Sequence, residues 1–583
     1  MTNSETVKIK YTLAMPKPSS HYFEVGLEIS GLKESHADFI LPAWRPGRYF
    51  IFDFPSGVQE FSAKDGNDIP LQWHKIDKYT WHIESNNKKR LNKINIYYKV
   101  YADEFENRTR GLDEEHAFVN GTAVFMYSEK YRKARLTLQV IPYKNWHVTT
   151  GLDNLKGKAF EFTAPNYDYF VDCPLEIGNQ ADYSFNVDGK EHVISFFGKA
   201  NYDIEKLKKD FSEIIKKNYE FWGKAPYKKY VFIIHCTPKS SGGTEHINST
   251  VLGIKPSSFD DAESYKHILS LVSHEFFHTW NVKQFRPKGI TPYDYTKENY
   301  TEELWIAEGG TSYYDGLMIL RTGQITKEDF FKEISGYIKD ERTRPGNKIQ
   351  SLAESSFDAW VKFWRRNENA YISQSDYYKK GSYVSLILDL EIRQASGNEY
   401  SLDDVYRTMF EKFPAGKGYT NDDFIKVCEK SARRSLKSFF DDYLYGTKQV
   451  DWEKYLLYAG LNITEEESAA QLKTGIVISN FEGKVFVSNV LPGSLAEKEG
   501  LNMEDEIIAI DGIKADYQTS EAKLTELKPG EEVNLVLFHD KELKKVTLRQ
   551  SSGNETNYRI EKISNPTELQ KSIFESWLDV KWG

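Results

Sequence analysis

Residues 273–283 read Ser273-His274-Glu275-Phe276-Phe277-His278-Thr279-Trp280-Asn281-Val282-Lys283, and the His274/His278 pair decides the central fold. In a helix, positions i and i+4 share one face. Two imidazoles at that spacing can bind one Zn²⁺ through ring nitrogens. Glu275 sits beside them, placed to take a proton from water at the metal. The flanks favour a helix over 262–281: Ile268, Leu271 and Val272 supply an apolar face, and no Pro or Gly interrupts it. His267 lies one heptad before His274, two turns away, and reads as a partly exposed histidine.

A catalytic zinc usually takes a third protein ligand and keeps one position open. A histidine six residues after His278 would serve, but that place holds Gln284. The downstream candidates are Glu298, Glu302, Glu303 and Glu308. Glu308 lies in Leu304-Trp-Ile-Ala-Glu-Gly-Gly-Thr-Ser-Tyr-Tyr314, an amphipathic stretch that Trp305 and Ile306 can anchor. Glu298 lies in a polar loop, where a rigid ligand is harder to hold. Context favours Glu308.

Outward from this centre the pattern changes on both sides. Before about residue 165, Phe23, Val25, Leu27 and Ile29 alternate with polar or small residues, as do Ile94, Ile96, Tyr98 and Val100, and Leu136, Leu138 and Val140. Period-2 alternation predicts strands with one buried face, hence an antiparallel β-sandwich. Helices are expected at 204–222, 301–322, 326–342, 381–396, 402–412 and 421–431, and a buried strand at 230–234. Residues 465–471 read as a polar linker, and 475–550 as a small separate domain of strands and short helices. The predicted divisions are a β-rich domain over 1–170, a metal-binding domain over 171–464, a small domain over 465–552 and a tail over 553–583. The fold class is multidomain α+β.

With a net charge of −9, the chain has no phosphate-binding surface, so nucleic-acid binding is not expected. The three cysteines are far apart and form neither a disulfide framework nor a cysteine zinc site. No apolar run approaches the ~20 residues of a membrane span. The start MTNSETVKIKY has no apolar core of a signal peptide. A cytoplasmic location is expected, with a periplasmic or secreted one as the alternative. Oligomeric state is not legible.

SHEFFHTWNVK followed by WIAEGGTSYYDGL resembles the glycyl aminopeptidase family of zinc metallopeptidases. LPAWRPGRY at 41–49 resembles that family's N-terminal stretch, and 475–550, with PGSLAEKEGL and DEIIAIDG, resembles a PDZ domain. The resemblance covers nearly the whole chain. It implies a thermolysin-like, mainly helical catalytic domain between the β-rich domain and the PDZ domain. It implies His274, His278 and Glu308 as ligands of one Zn²⁺ per chain, and Glu275 as general base.

Gly242-Gly243-Thr244-Glu245-His246 stands where the family carries a Gly-rich strand ending in a glutamate. By that resemblance Glu245 would hold a substrate's free α-amino group, and the strand at Gly243 would hydrogen-bond its backbone. The family usually has a leucine where Thr244 stands. His246 would touch substrate or orient Glu245. Tyr377-Tyr378-Lys379-Lys380-Gly381 resembles the Tyr-x-Lys-Gly segment of aminopeptidase-N-like enzymes, whose tyrosine stabilises the oxyanion. Alignment on Lys380-Gly381 selects Tyr378, with Tyr377, Tyr313 and Tyr314 as alternatives.

The expected activity is removal of small N-terminal residues, Gly or Ala, from peptide substrates. Two alternatives are a zinc endopeptidase or oligopeptidase, and a PDZ-bearing binding protein with an inactive metal site. The PDZ-like domain would take a peptide along the strand starting near Gly475-Ile476-Val477.

Overall fold

A computed structural model describes residues 7–86, 88–105, 109–367, 369–469, 474–525, 530–549 and 554–583. The N-terminal part is built from three sheets. In the largest, of seven strands, Lys8–Ala14 lies between Tyr22–Ser30 and Leu136–Ile141, and Lys93–Tyr101 follows Tyr22–Ser30. The expected alternation holds: Phe23, Val25, Leu27 and Ile29 are buried, as are Ile94, Ile96, Tyr98 and Val100. One pairing departs from a purely antiparallel sandwich, because Lys8–Ala14 runs parallel to Leu136–Ile141. The two strands are far apart in sequence, so no hairpin forces them antiparallel.

A five-stranded sheet follows, in the order Ala181–Val187, Lys190–Gly198, Lys229–Cys236, Ser249–Ile254, Gly243–Glu245. Its middle three strands are parallel, and Gly243–Glu245 is an antiparallel edge strand. Along Lys229–Cys236 both faces are covered. Tyr230, Phe232 and Ile234 join the main core, while Val231 and Ile233 form a second small core with Phe118 of the N-terminal part. The predicted strand at 230–234 was therefore legible as a continuous apolar run, as expected for a strand buried on two faces.

Helices Ile204–Trp222 and Leu402–Lys412 match the expected spans. Thr326 and Asp329 form a reciprocal capping box at the start of Lys327–Thr343. The His274 helix is shorter than predicted, Ala262–Phe277, with His278 as its C-cap. Residues 278–285 turn instead through Val282, whose φ of 100° is an outlier for a β-branched residue. No helix among the described residues is long and apolar enough to cross a membrane.

Two expectations at the C-terminal end are corrected. The predicted linker is largely a strand: Leu461–Ala469 pairs antiparallel with Asn554–Lys562. Its polar sequence suits a two-stranded ribbon with little core to fill; residues 470–473 lie outside the described residues. Nor is 553–583 a loose tail. Helix Glu568–Leu578 places Ile573, Phe574, Trp577 and Leu578 in the main core, and Trp577 Nε1 donates to Tyr313 Oη at 2.9 Å.

Between the two ribbon strands lies the small domain. It has its own core of Ile476, Val485, Val487, Ile507, Val533 and Leu535, among others. Ile476–Phe481 is an edge strand of its sheet, and helix Tyr517–Thr525 contacts it.

Candidate active site

The His274 helix packs against helix Gly310–Arg321, which is entered through one π-helical turn, Trp305–Gly309. That turn carries Glu308; such turns recur at functional sites because they re-aim a side chain without ending a helix. Nε2 of His278 stands 3.1 Å from Nε2 of His274 and 3.2 Å from Glu308 Oε2. His274 Nε2 is 3.9 Å from the same oxygen.

The other ring nitrogens are already engaged. His274 Nδ1 donates to Asp315 Oδ2 at 2.9 Å, and His278 Nδ1 to the Asn281 carbonyl at 2.9 Å. With Nδ1 carrying the proton, each neutral ring aims an Nε2 lone pair at the same point, beside a carboxylate. Lone pairs at that separation repel unless a cation lies between them. The three residues therefore fit a divalent metal with one further position open. Replacing Asp315 with Asn should weaken zinc binding by about 10- to 100-fold. Competition against a chelator of known affinity measures this, and an unchanged constant would remove Asp315 from the orienting role.

Glu275 is buried on the same helix, and its Oε2 makes no hydrogen bond. Burial pushes its carboxyl up to about 7; the two imidazoles oppose the shift, and Glu245 and Glu308 add to it. A divalent cation at the triad would draw it down again. Opposite it runs the edge strand Gly243–Glu245. A Cβ on Gly243 would fall 2.3 Å from Glu275 Oε1, so only glycine lets this strand pass so close. Two residues on, Glu245 is near enough for its charge to be felt at Glu275 and His278.

Glu245 is boxed by residues from elsewhere. Lys283 Nζ, fully buried, stands 3.9 Å from Glu245 Oε1 and 3.0 Å from Asp172 Oδ1. His246 Nδ1 bonds the same Asp172 oxygen at 3.0 Å, so its link to Glu245 runs through Asp172 and Lys283. Gly47, at φ +89°, meets the Glu245 carboxylate so closely that a Cβ there would fall 2.5 Å from Oε2. Arg45 Nη2 donates to Thr244 Oγ1 at 3.1 Å, which gives the departure from leucine at 244 a partner.

Tyr378 precedes helix Lys379–Ala395. Its ring lies 6.3 Å from the His274 ring, and the charge of Glu308 raises its hydroxyl further above the range that burial sets. Two glycines make this approach possible, and a third admits Tyr406 of helix Leu402–Lys412. A Cβ on Gly309 would fall 2.5 Å from the Gly381 Cα, one on Gly381 would fall 2.8 Å from the Gly309 Cα, and one on Gly310 would strike the Tyr406 hydroxyl. The alternative tyrosines have hydroxyls engaged elsewhere: Tyr377 with Trp364 Nε1, Tyr313 with Asp389, Tyr314 with Asp403.

Family models match three stretches of the chain: the Peptidase M61 N-terminal domain over 10–179, the M61 glycyl aminopeptidase over 267–384, and a PDZ domain over 473–549. Two of these three matches are to M61 models, over the N-terminal and the catalytic stretches. The chain is thereby a metallopeptidase of the aminopeptidase class. It is similar over 98% of its length, and 100% of the other's, to an aminopeptidase N family protein from Idiomarina loihiensis, at 28% identity and TM-score 0.89. An M1 zinc metallopeptidase from Deinococcus radiodurans aligns with 75% of this chain and 94% of its own, at 11% identity and TM-score 0.45. No curated protein matches.

The sequence reading missed several residues that surround the site. Lys283, a lone cation next to apolar Val282, was open to question because a lysine that folds inward needs a partner. Gly47 and Tyr49 lie in the quoted 41–49 stretch, yet nothing in that stretch says which loop it meets. Tyr49 is buried, and Glu308, Tyr377 and Glu245 all act on its hydroxyl.

Proposed function

We propose that this chain is a zinc aminopeptidase that releases small N-terminal residues, Gly or Ala, from peptides. The observation that supports this reading is the close pass of the Gly243–Glu245 strand over Glu275, which brings the Glu245 and Glu275 carboxylates together. His274, His278 and Glu308 would hold one zinc ion. When bound, zinc brings a water's pKa to about 7 and polarises a carbonyl oxygen.

The remaining chemistry belongs to the chain's own side chains. Glu275 Oε2 takes the proton of the attacking water and then gives it to the departing amine. The Tyr378 hydroxyl donates to the oxygen on which negative charge develops. Glu245 accepts from the substrate's α-ammonium group, with Lys283 and Asp172 fixing its position. The Gly243 strand lies along the substrate backbone. The family's preference for small residues agrees with the crowd of buried rings, Tyr49 and Tyr377 with Tyr378 beside them, at the Glu308 end. At the PDZ domain, the edge strand Ile476–Phe481 beside helix Tyr517–Thr525 offers a peptide groove.

Glu245→Ala should lower kcat/KM on free alanyl peptides by about 10²-fold, the worth of a charge-assisted hydrogen bond. On N-acetylated peptides the same change should matter little. Equal losses on both, or cleavage of acetylated peptides as fast as free ones by the unaltered enzyme, would replace the aminopeptidase reading with an endopeptidase one.

A further inference from the structure

A second histidine–carboxylate triad lies away from Glu275. His116 opens strand His116–Val119, Glu176 sits in strand Leu175–Gly178 beside it, and His235 lies near the end of Lys229–Cys236. The first two strands belong to a five-stranded sheet of the N-terminal part, here the N-terminal sheet, and the third to the sheet that carries Gly243–Glu245, here the catalytic sheet. On Lys229–Cys236 the side chains of Val231, Ile233 and His235 share one face by the period of a strand. Val231 and Ile233 pack there with Phe118. His235 is thus the polar end of the interface between the two sheets.

The three residues are at most 6% exposed, and Glu176 is fully buried. His235 Nε2 stands 2.8 Å from Glu176 Oε2, and His116 Nε2 stands 3.9 Å from Glu176 Oε1. Glu176 Oε1 makes no hydrogen bond, and neither does His116 Nδ1, which faces Asp113 at 3.7 Å. The His116 ring is held between Phe105 and Phe197 by stacking. A buried carboxylate oxygen without a hydrogen bond is costly, so such a group is normally held by a close ion pair or a metal.

One ligand atom from each residue falls within 4.8 Å of the other two, as in the His274/His278/Glu308 triad. These are the only two such groups among the described residues. A tetrahedral ion with bonds of about 2.1 Å separates its ligands by roughly 3.4 Å, between the two separations seen here.

We propose that His116, Glu176 and His235 form a second metal site, for a divalent transition ion such as zinc, that clasps the N-terminal sheet to the catalytic sheet. Two imidazoles and a carboxylate suit zinc better than calcium or magnesium, which prefer all-oxygen shells. The site binds through both domains and lies outside the catalytic machinery, so its ion acts on assembly and not on bond cleavage.

Full-length protein stripped with a chelator and reloaded with Zn²⁺ should take up two equivalents, counted by mass spectrometry of the metal after gel filtration. Glu308→Ala should keep one, Glu176→Gln should keep one, and the double variant none. His116→Phe, which preserves the ring between Phe105 and Phe197, should also keep one and retain peptidase activity. In the Glu308→Ala background, Zn²⁺ should raise the unfolding temperature, and adding His116→Phe should abolish that rise. Saturation at one equivalent that Glu308→Ala removes, or unchanged uptake in both Glu176→Gln and His116→Phe, overturns the second site. Saturation at one equivalent that Glu176→Gln removes would uphold it and count against the catalytic triad instead.

Discussion

Glu275→Gln is expected to keep its zinc and to lose about 10³- to 10⁴-fold in kcat on an alanyl anilide. Glutamine has nearly the same shape, so the site's packing is preserved. What disappears is the proton acceptor for water and the proton donor for the leaving amine, and positioned acid–base groups are worth up to about this much. The loss equals roughly 4–5.5 kcal/mol of transition-state stabilisation. The Gly243 strand should not move, because the amide fills the space that the carboxylate filled. Metal content and the rate are measured on the same sample. A variant that keeps within tenfold of normal activity would mean that another group moves the proton.

Tyr378→Phe is expected to lower kcat by about 10²- to 10³-fold with little change in KM. A hydrogen bond to a developing oxyanion is strong only once the charge forms, so its loss falls on the transition state. The contrast with Tyr49 decides the assignment. Tyr49 is buried and Tyr378 half-buried, and both hydroxyls feel Glu308 and Glu245. Only Tyr378 lies against the His274 ring, at the start of a helix that the Gly309/Gly381 contact fixes in place. Tyr49→Phe should therefore cost less than tenfold. A larger loss from Tyr49→Phe than from Tyr378→Phe would hand the oxyanion role to the N-terminal loop.

The cluster of His274, His278 and Glu308 was legible because its spacing is local. His274 and His278 are one helical turn apart, and Glu308 stands in an aromatic stretch that reads as a helix. The π-turn itself was not legible, since nothing in Trp305–Gly309 distinguishes a five-residue turn from an ordinary one. What the sequence hid were contacts between distant segments. Gly47 meets Glu245 across 198 positions of chain, and Lys283 meets Asp172 across 111. A one-dimensional pattern gives no reason for either pairing. Residues 465–469, the second half of strand Leu461–Ala469, read as linker for a related reason. Its partner lies beyond the PDZ domain, and its charges suit a ribbon only when that partner is present.

That ribbon makes the PDZ domain an insertion and not an appendage. Its two ends enter and leave the catalytic body at one place, where Ala469 faces Asn554. A domain joined to the body at both ends is not shed by a single cut. After a nick within it, helix Glu568–Leu578 still anchors the far end through Trp577. The same geometry makes the PDZ domain interchangeable. Whatever spans one ribbon width, a tight turn or a different binding module, can occupy the gap and leave the enzyme's closing helix docked.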